Sequence, residues 1–235
     1  VDDREARAHR ILDAAAELIG QLGYDKTTVD DIATAAGVAK GTIYLHWRSR
    51  AELFEALLRR DRMGMFQDID ERIADAPDTL ATVFTGFAHS LHACPLSKAV
   101  YLRDLRVLGK FVHNRAPEQL AEAMPYTFAG YLERLRAEQL IRTDISLAAQ
   151  VQLIAAAFLG ALHAPTLLPA EFTVPEPVAS ELLGESIARV LDRGTPFDET
   201  DRAAFRAATI AYFQKSTALE RRKYLRAMGH TKESE

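Results

Sequence analysis

A chain of 235 residues, 48% of them hydrophobic, can fill a substantial core and has room for a small module joined to a larger one. Its formal charge of -4 excludes a protein coated in nucleic acid but leaves room for recognition through a locally basic surface. With Cys94 as its one cysteine, the chain excludes an internal disulfide and a thiolate metal cluster, and neither a cofactor nor a metal is expected.

The first predicted helix covers residues 4–22, where Ala8, Ile11, Leu12, Ala15, Leu18, Ile19 and Leu22 form an apolar stripe that Gly23 stops. Thr28 opens a second pattern, with Asp31 three residues on to complete a capping box and Val29, Ile32, Ala33 and Ala36 turned inward. Gly37 ends it. A third, short helix fits residues 40–46, burying Ile43 and leaving Lys40, Thr42, Tyr44 and His46 around its outer surface. Ser49 and Glu52 then form a second capping box for a fourth helix carrying Leu53, Phe54, Leu57 and Leu58. The short gap between the second and third helices fits a helix-turn-helix.

Beyond it, helical patterns recur at 80–91, 98–112, 117–140, 146–163 and 179–191, lengths that suit a bundle. Pro95, Pro117, Pro165, Pro169, Pro175 and Pro177 punctuate them, Pro125 kinks or splits its helix, and no series of alternating strand patterns is present. The longest apolar stretch, 153–162, falls short of the roughly 20 residues that cross a bilayer, and no leader pattern is seen, so a cytoplasmic location without a membrane partner is expected. Residues 199–228 repeat Phe205, Thr209, Tyr212, Phe213 and Leu219 near helical spacing and then turn basic at Arg221, Arg222, Lys223 and Arg226. The first half of this helix is expected to pack on the larger domain or a partner copy, and its end to stay exposed.

Chemistry concentrates around the third helix. Lys40, Arg48 and Arg50 lie between Asp31 and Glu52 with no acid among them, a cationic window suited to phosphate. Tyr44 can donate its hydroxyl to a phosphate, and Thr42 is short enough to approach a base edge or a thymine methyl. The competing reading makes these solvated residues on a small helical cap. Two short helices, a glycine turn and an acid-free aromatic-basic segment, in that order, favour DNA.

Residues 27–53, TTVDDIATAAGVAKGTIYLHWRSRAEL, resemble the DNA-binding signature of the TetR family of bacterial transcriptional regulators, most closely at Thr28, Ile32, Ala33, Ala36, Gly37, Val38, Gly41, Thr42, Tyr44 and Leu53. The resemblance implies an all-α fold, an N-terminal helix-turn-helix DNA-binding domain followed by a larger helical ligand-binding and dimerisation domain. It implies a homodimer on palindromic double-stranded DNA, with repression relieved by a small organic ligand. Thr28 and Lys40 look like DNA-touching residues near the two helix starts, Thr42 like a base-facing one, and Tyr44 and His46 like phosphate contacts. Arg50 stands where the family usually has lysine, with a different donor geometry. Two departures are Ala39, in place of a capping serine, and Trp47, in place of phenylalanine. The expected division is 1–47 for DNA, 48–198 for the connecting helix with the ligand and dimer functions, and 199–235 for a helical extension with a basic tail.

Two recognition helices related by a two-fold axis turn modest contacts into useful affinity. In the resembled family the last two core helices form the partner surface, which implies Leu153, Ala157, Leu182 and Ile187 near a dimer interface. The resemblance also implies a pocket between the central helices. Phe84, Phe87, Leu91, Leu102, Leu105, Phe128, Leu132 and Phe158 can supply an apolar lining, and His89, His92, Arg103, Tyr126, Gln152 and His163 its polar groups. The ligand expected is a mostly apolar organic molecule of moderate size with at least one polar function. An enzyme using His89, His92, His113 or His163 is an alternative, but no HExxH arrangement or nearby pair of carboxylates accompanies them, and no catalytic residue is assigned. A helical protein-interaction module is another alternative.

Overall fold

Three- and four-residue spacing of apolar side chains carries directly into the backbone. The structure is a computed structural model describing residues 3–73, 77–113 and 126–229, and every regular element among them is helical. In chain order these are α1 (Asp3–Leu22), α2 (Val29–Ala36), α3 (Lys40–Tyr44), α4 (Arg50–Ile73), α5 (Leu80–Ala93), α6 (Pro95–Leu102), α7 (Leu105–Leu108) and α8 (Lys110–His113). Then follow α9 (Tyr126–Ala137), α10 (Leu147–Leu167), a 3-10 turn at Ala170–Phe172, α11 (Glu176–Leu191) and α12 (Glu199–Ala227). The all-α class, with an N-terminal helix-turn-helix and a larger helical part after it, is the observed one.

Helix ends shift by a few residues from the sequence reading, and two differences are larger. The helix expected over 98–112 is three short ones, because Arg103 takes a left-handed φ of 51° and the Asp104 side chain accepts from the Arg106 N–H to start α7. Pro165 lies inside α10 and does not end it. Pro117 and Pro125 lie outside the described residues, as does the tail beyond residue 229.

The backbone divides into two units, one of residues 1–64, 94–123 and 218–235, the other of 65–93 and 124–217. Neither is a single stretch of chain.

In the first unit Ile11, Leu12 and Ile19 of α1 meet Ile32 of α2, Ile43 of α3, and Phe54 and Leu57 of α4 in one apolar cluster. Each such side chain stabilises the fold by roughly 1.5–3 kcal/mol relative to exposure. Tyr24, Phe54 and Phe111 stack into it, with ring centroids 4.6–5.4 Å apart. The end of α12 is not exposed, contrary to expectation. Glu220, Tyr224 and Met228 recur every fourth residue on one face and are 2%, 6% and 6% exposed, while Arg221, Arg222 and Arg226 between them stay outside. Trp47 donates its indole N–H to the Ala227 carbonyl at 3.1 Å. Buried Glu220 is surrounded by Arg62 at 3.3 Å, Lys223 at 3.2 Å and Arg59 at 3.9 Å, which offset the cost of holding a carboxylate away from water.

The second unit is held by α5 against α11, which meet at Gly184. A Cβ there would lie 2.1 Å from Thr85 Oγ1, 2.6 Å from the Ala81 carbonyl oxygen and 2.8 Å from the Thr85 nitrogen. Only glycine permits that approach. Elsewhere in the unit polar burial is satisfied in pairs: Tyr131 and Thr209 share a hydrogen bond of 2.8 Å, and Gln150 accepts from Arg136 and donates to the Arg142 carbonyl. Burial holds the Tyr131 hydroxyl far above the usual tyrosine range despite its bond to Thr209. Replacing Gly184→Ala should lower stability by about 1–3 kcal/mol, read as an earlier urea midpoint with unchanged slope, because backbone and not only side chain must move to admit the methyl group.

Candidate nucleic-acid interface

The surface around α3 is built by caps. Thr28 is extended at φ -98°, ψ 163°, its hydroxyl oxygen accepts from the Asp31 N–H at 3.2 Å, and the Asp31 carboxylate accepts from the Thr28 N–H at 3.0 Å. The capping box that the sequence offers is therefore complete. Hydrogen bonds from the Thr28 side chain and backbone hold the Asp31 carboxyl below its ordinary value. A lowered carboxyl favours the folded state above its unfolded value and loses that contribution as pH falls through the lowered one. Gly37 ends α2 in the left-handed conformation, φ 64° and ψ 38°, its N–H directed to the Ala33 and Thr34 carbonyls. This allows α3 to start three residues later.

Within α3, Ile43 is 1% exposed and fixes the helix on the core, which leaves Lys40 and Tyr44 exposed and Thr42 half-buried. Thr28 is exposed at the start of α2, and His46 is half-buried with its ring 5.3 Å from that of Trp47. Thr28, Lys40, Thr42, Tyr44 and His46 thus all belong to the first unit.

Two cations there have partners the sequence did not reveal. Lys40 Nζ is 2.8 Å from Asp30 Oδ2, and that bond holds the ammonium above its ordinary value. Ten residues separate the two, so no i,i+4 pattern announces them. Arg50 donates to the carbonyls of Tyr24 at 3.1 Å and Thr27 at 2.8 Å and lies 4.1 Å over the Tyr24 ring. It clamps the loop between α1 and α2 from the start of α4.

The residues expected to line a pocket fall in several places. Phe84, Phe87, Phe128 and Phe158 come together in the second unit, with centroid distances of 5.2–6.3 Å between neighbouring rings. Leu91 and Leu132 are buried there as well. Leu102, Arg103 and Leu105 instead belong to the first unit, which the chain re-enters at Cys94, and Leu105 is 55% exposed there. Gln152 and His163 are exposed on α10, and His92 is half-buried. Tyr126 and His113 have side chains outside the described residues. His89 bonds through Nδ1 to Glu176 Oε1 at 3.0 Å, joining α5 to α11. It also borders an open cleft of about 450 Å³ shared with Arg72, Thr82, Thr85, Glu181 and Glu185, a more polar lining than expected. Among the described residues no group of three or more His, Cys, Asp or Glu side chains is placed to hold a metal.

On α10 and α11, Leu153 and Leu182 are 46% and 52% exposed and Ala157 is half-buried, whereas Ile187 is enclosed within its own unit and is not a surface residue. By length and composition alone α10 is apolar enough to cross a membrane, which corrects the shorter stretch read at 153–162. Small residues and uncharged polar ones lengthen the run.

Residues 11–57 match the family model described as bacterial regulatory proteins, tetR family. The chain is 40% identical over 81 residues to the fatty acid metabolism regulator protein of Bacillus subtilis, spanning 32% of this chain but only 41% of that protein. It is 30% identical over 147 residues, 54% of this chain and 74% of the other, to a Mycobacterium tuberculosis protein assigned provisionally as a transcriptional regulator of mycofactocin biosynthesis. Among solved structures, the transcriptional regulator FadR from Bacillus subtilis in complex with stearoyl-CoA superposes with a TM-score of 0.57 at 21% identity, covering 77% of this chain and 97% of that one.

Ala39 is the N-cap of α3 and makes no side-chain capping bond. Replacing Ala39→Ser should supply the missing acceptor and stabilise the first unit by about 1 kcal/mol, measured as a raised thermal midpoint, with a serine that leaves the midpoint unchanged counting against this cap geometry.

Proposed function

The chain belongs to the TetR family of bacterial regulatory proteins, and from that membership we propose that it is a homodimeric repressor of a palindromic double-stranded DNA site, released by a moderately sized, mostly apolar organic ligand. The observation that carries the DNA reading is α3 itself: a five-residue helix pinned by Ile43 immediately after the left-handed turn at Gly37, with Lys40, Thr42 and Tyr44 on its outer side. Thr42 reads a base edge, and Thr28, Lys40, Tyr44 and His46 meet phosphates. Lys40 exchanges Asp30 for a phosphate on binding, an exchange that costs little between exposed groups. Arg50 acts through the loop it clamps and presents Thr28 at the start of α2.

Dimerisation through α10 and α11 is supported by the apolar side chains they leave in water. Leu153 and Leu182 are joined by Val178 at 42% exposure and, beyond α10, by Phe172 at 67%. Ligand binding in the second unit is supported by its aromatic cluster, and the stearoyl-CoA held by the Bacillus relative supports an occupant with an extended apolar arm. Regulation follows if that occupant binds the DNA-incompetent arrangement more tightly. A cytoplasmic location is part of the same reading, since that is where a bacterial regulator meets its DNA.

A duplex selected by the wild-type protein from a randomised library provides the test. Thr42→Ala should reduce preference for it over shuffled DNA by about tenfold, whereas Lys40→Ala should weaken both and flatten the salt dependence by about one unit per contact. If neither variant alters binding, the surface assigned to DNA is the wrong one. Titration of uncharged and monoanionic organics into the protein–duplex complex should release the DNA; release by polyphosphates alone overturns the ligand class.

A further inference from the structure

The last turns of α12 are basic outside and apolar inside. Residues 221–229 contain no acid, and Arg222 and Arg226 lie four apart, one turn of about 5.4 Å, on the side of the helix opposite Glu220 and Tyr224. Both are exposed, and neither has an ion-pair partner among the described residues, whereas neighbouring Lys223 is held by Glu220. Acids close to this turn are mostly engaged: Glu220 is buried among cations and Asp13 pairs with Arg60 at 2.7 Å, which leaves Glu5 near Tyr224.

Its placement in the first unit is fixed by the hydrogen bond from Trp47 to Ala227. Trp47 follows His46 directly, four residues after Ile43 and just past the end of α3. The residue next to that anchored carbonyl is Arg226, so the exit of α3 and the basic end of α12 form one neighbourhood. An overall acidic chain that gathers unpaired arginines beside this helix exit has built a local anion surface.

We infer that Arg222 and Arg226 form an auxiliary DNA-backbone contact, taking phosphates that flank the bases read by α3. The inference rests on the DNA-binding reading above and deepens it. Such contacts add affinity without sequence information, and their signature is salt dependence.

The experiment measures affinity of the full chain for the selected duplex, and for shuffled DNA, across a potassium chloride series. Removing one phosphate contact should flatten the plot of log affinity against log salt by roughly 0.9, so the double variant Arg222→Ala, Arg226→Ala should be shallower by up to about 3.6 in a dimer. Preference for the selected duplex over shuffled DNA should stay as in the wild type. The control Arg202→Ala, Lys215→Ala removes the same charge from exposed positions on the same helix within the other unit, and should leave the slope unchanged. An unchanged slope in the Arg222, Arg226 variant, or an equal flattening in the control, overturns the inference. A wild-type protein that selects no duplex overturns the DNA reading itself, and this inference with it.

Discussion

An indole N–H buried at 2% exposure must find an acceptor, and in a helical core almost every backbone carbonyl is already bonded to the N–H four residues on. Carbonyls left free by the helical ladder occur in loops and in the last turn of a helix. Trp47 meets that constraint at Ala227, the last residue of α12. Ending α12 at that point fixes its register in the first unit: Tyr224 and Met228 enter the core, Glu220 reaches Arg59 and Arg62, and the arginines between them face water. Trp47 is also the position where this chain departs from the family's phenylalanine, which has no donor to satisfy. The unusual residue and the additional helix answer one another.

Most of the DNA-binding architecture was legible because its determinants are local. Thr28 with Asp31, Gly37, and the spacing of Ile32, Ala33 and Ile43 each act within a few residues, and each took its expected place. Arrangements made by distant residues were not legible. Asp30 with Lys40, Arg50 with the Tyr24 carbonyl, and Trp47 with Ala227 are separated by 10, 26 and 180 residues, and periodicity carries no information about such pairs. The same limit explains why the end of α12 reads as an exposed tail: a stripe of Glu220, Tyr224 and Met228 looks polar until its partners are known. Leu102, Arg103 and Leu105 went astray for a related reason, since the chain has already passed into the first unit at Cys94, a long-range placement that helical spacing does not report.

The second unit shows how shape rather than polarity organises a helical pair. Gly184 brings α11 against α5 closely enough that a single methyl group would meet backbone on the other side. Beside that seam the histidine at 89 spans to Glu176 and the open cleft is lined by charges, while the phenylalanines collect elsewhere in the unit. Apolar and polar groups that sequence reasoning merges into one pocket are thereby sorted into a ring cluster and a cleft with charged residues in its lining.

The bond between Trp47 and the final residue of α12 also carries a temporal meaning. During synthesis the N-terminal residues leave the ribosome first and begin to fold while later ones are still being joined. Here α1 to α4 emerge long before Tyr224 and Met228, which belong to the same core, and before the carbonyl that satisfies the indole. A nascent chain therefore holds an incomplete reading head until residues 220–228 are released. The core of the first unit is complete only with that last stretch of α12, so a translation product interrupted ahead of it lacks both the indole's acceptor and two of the core's side chains.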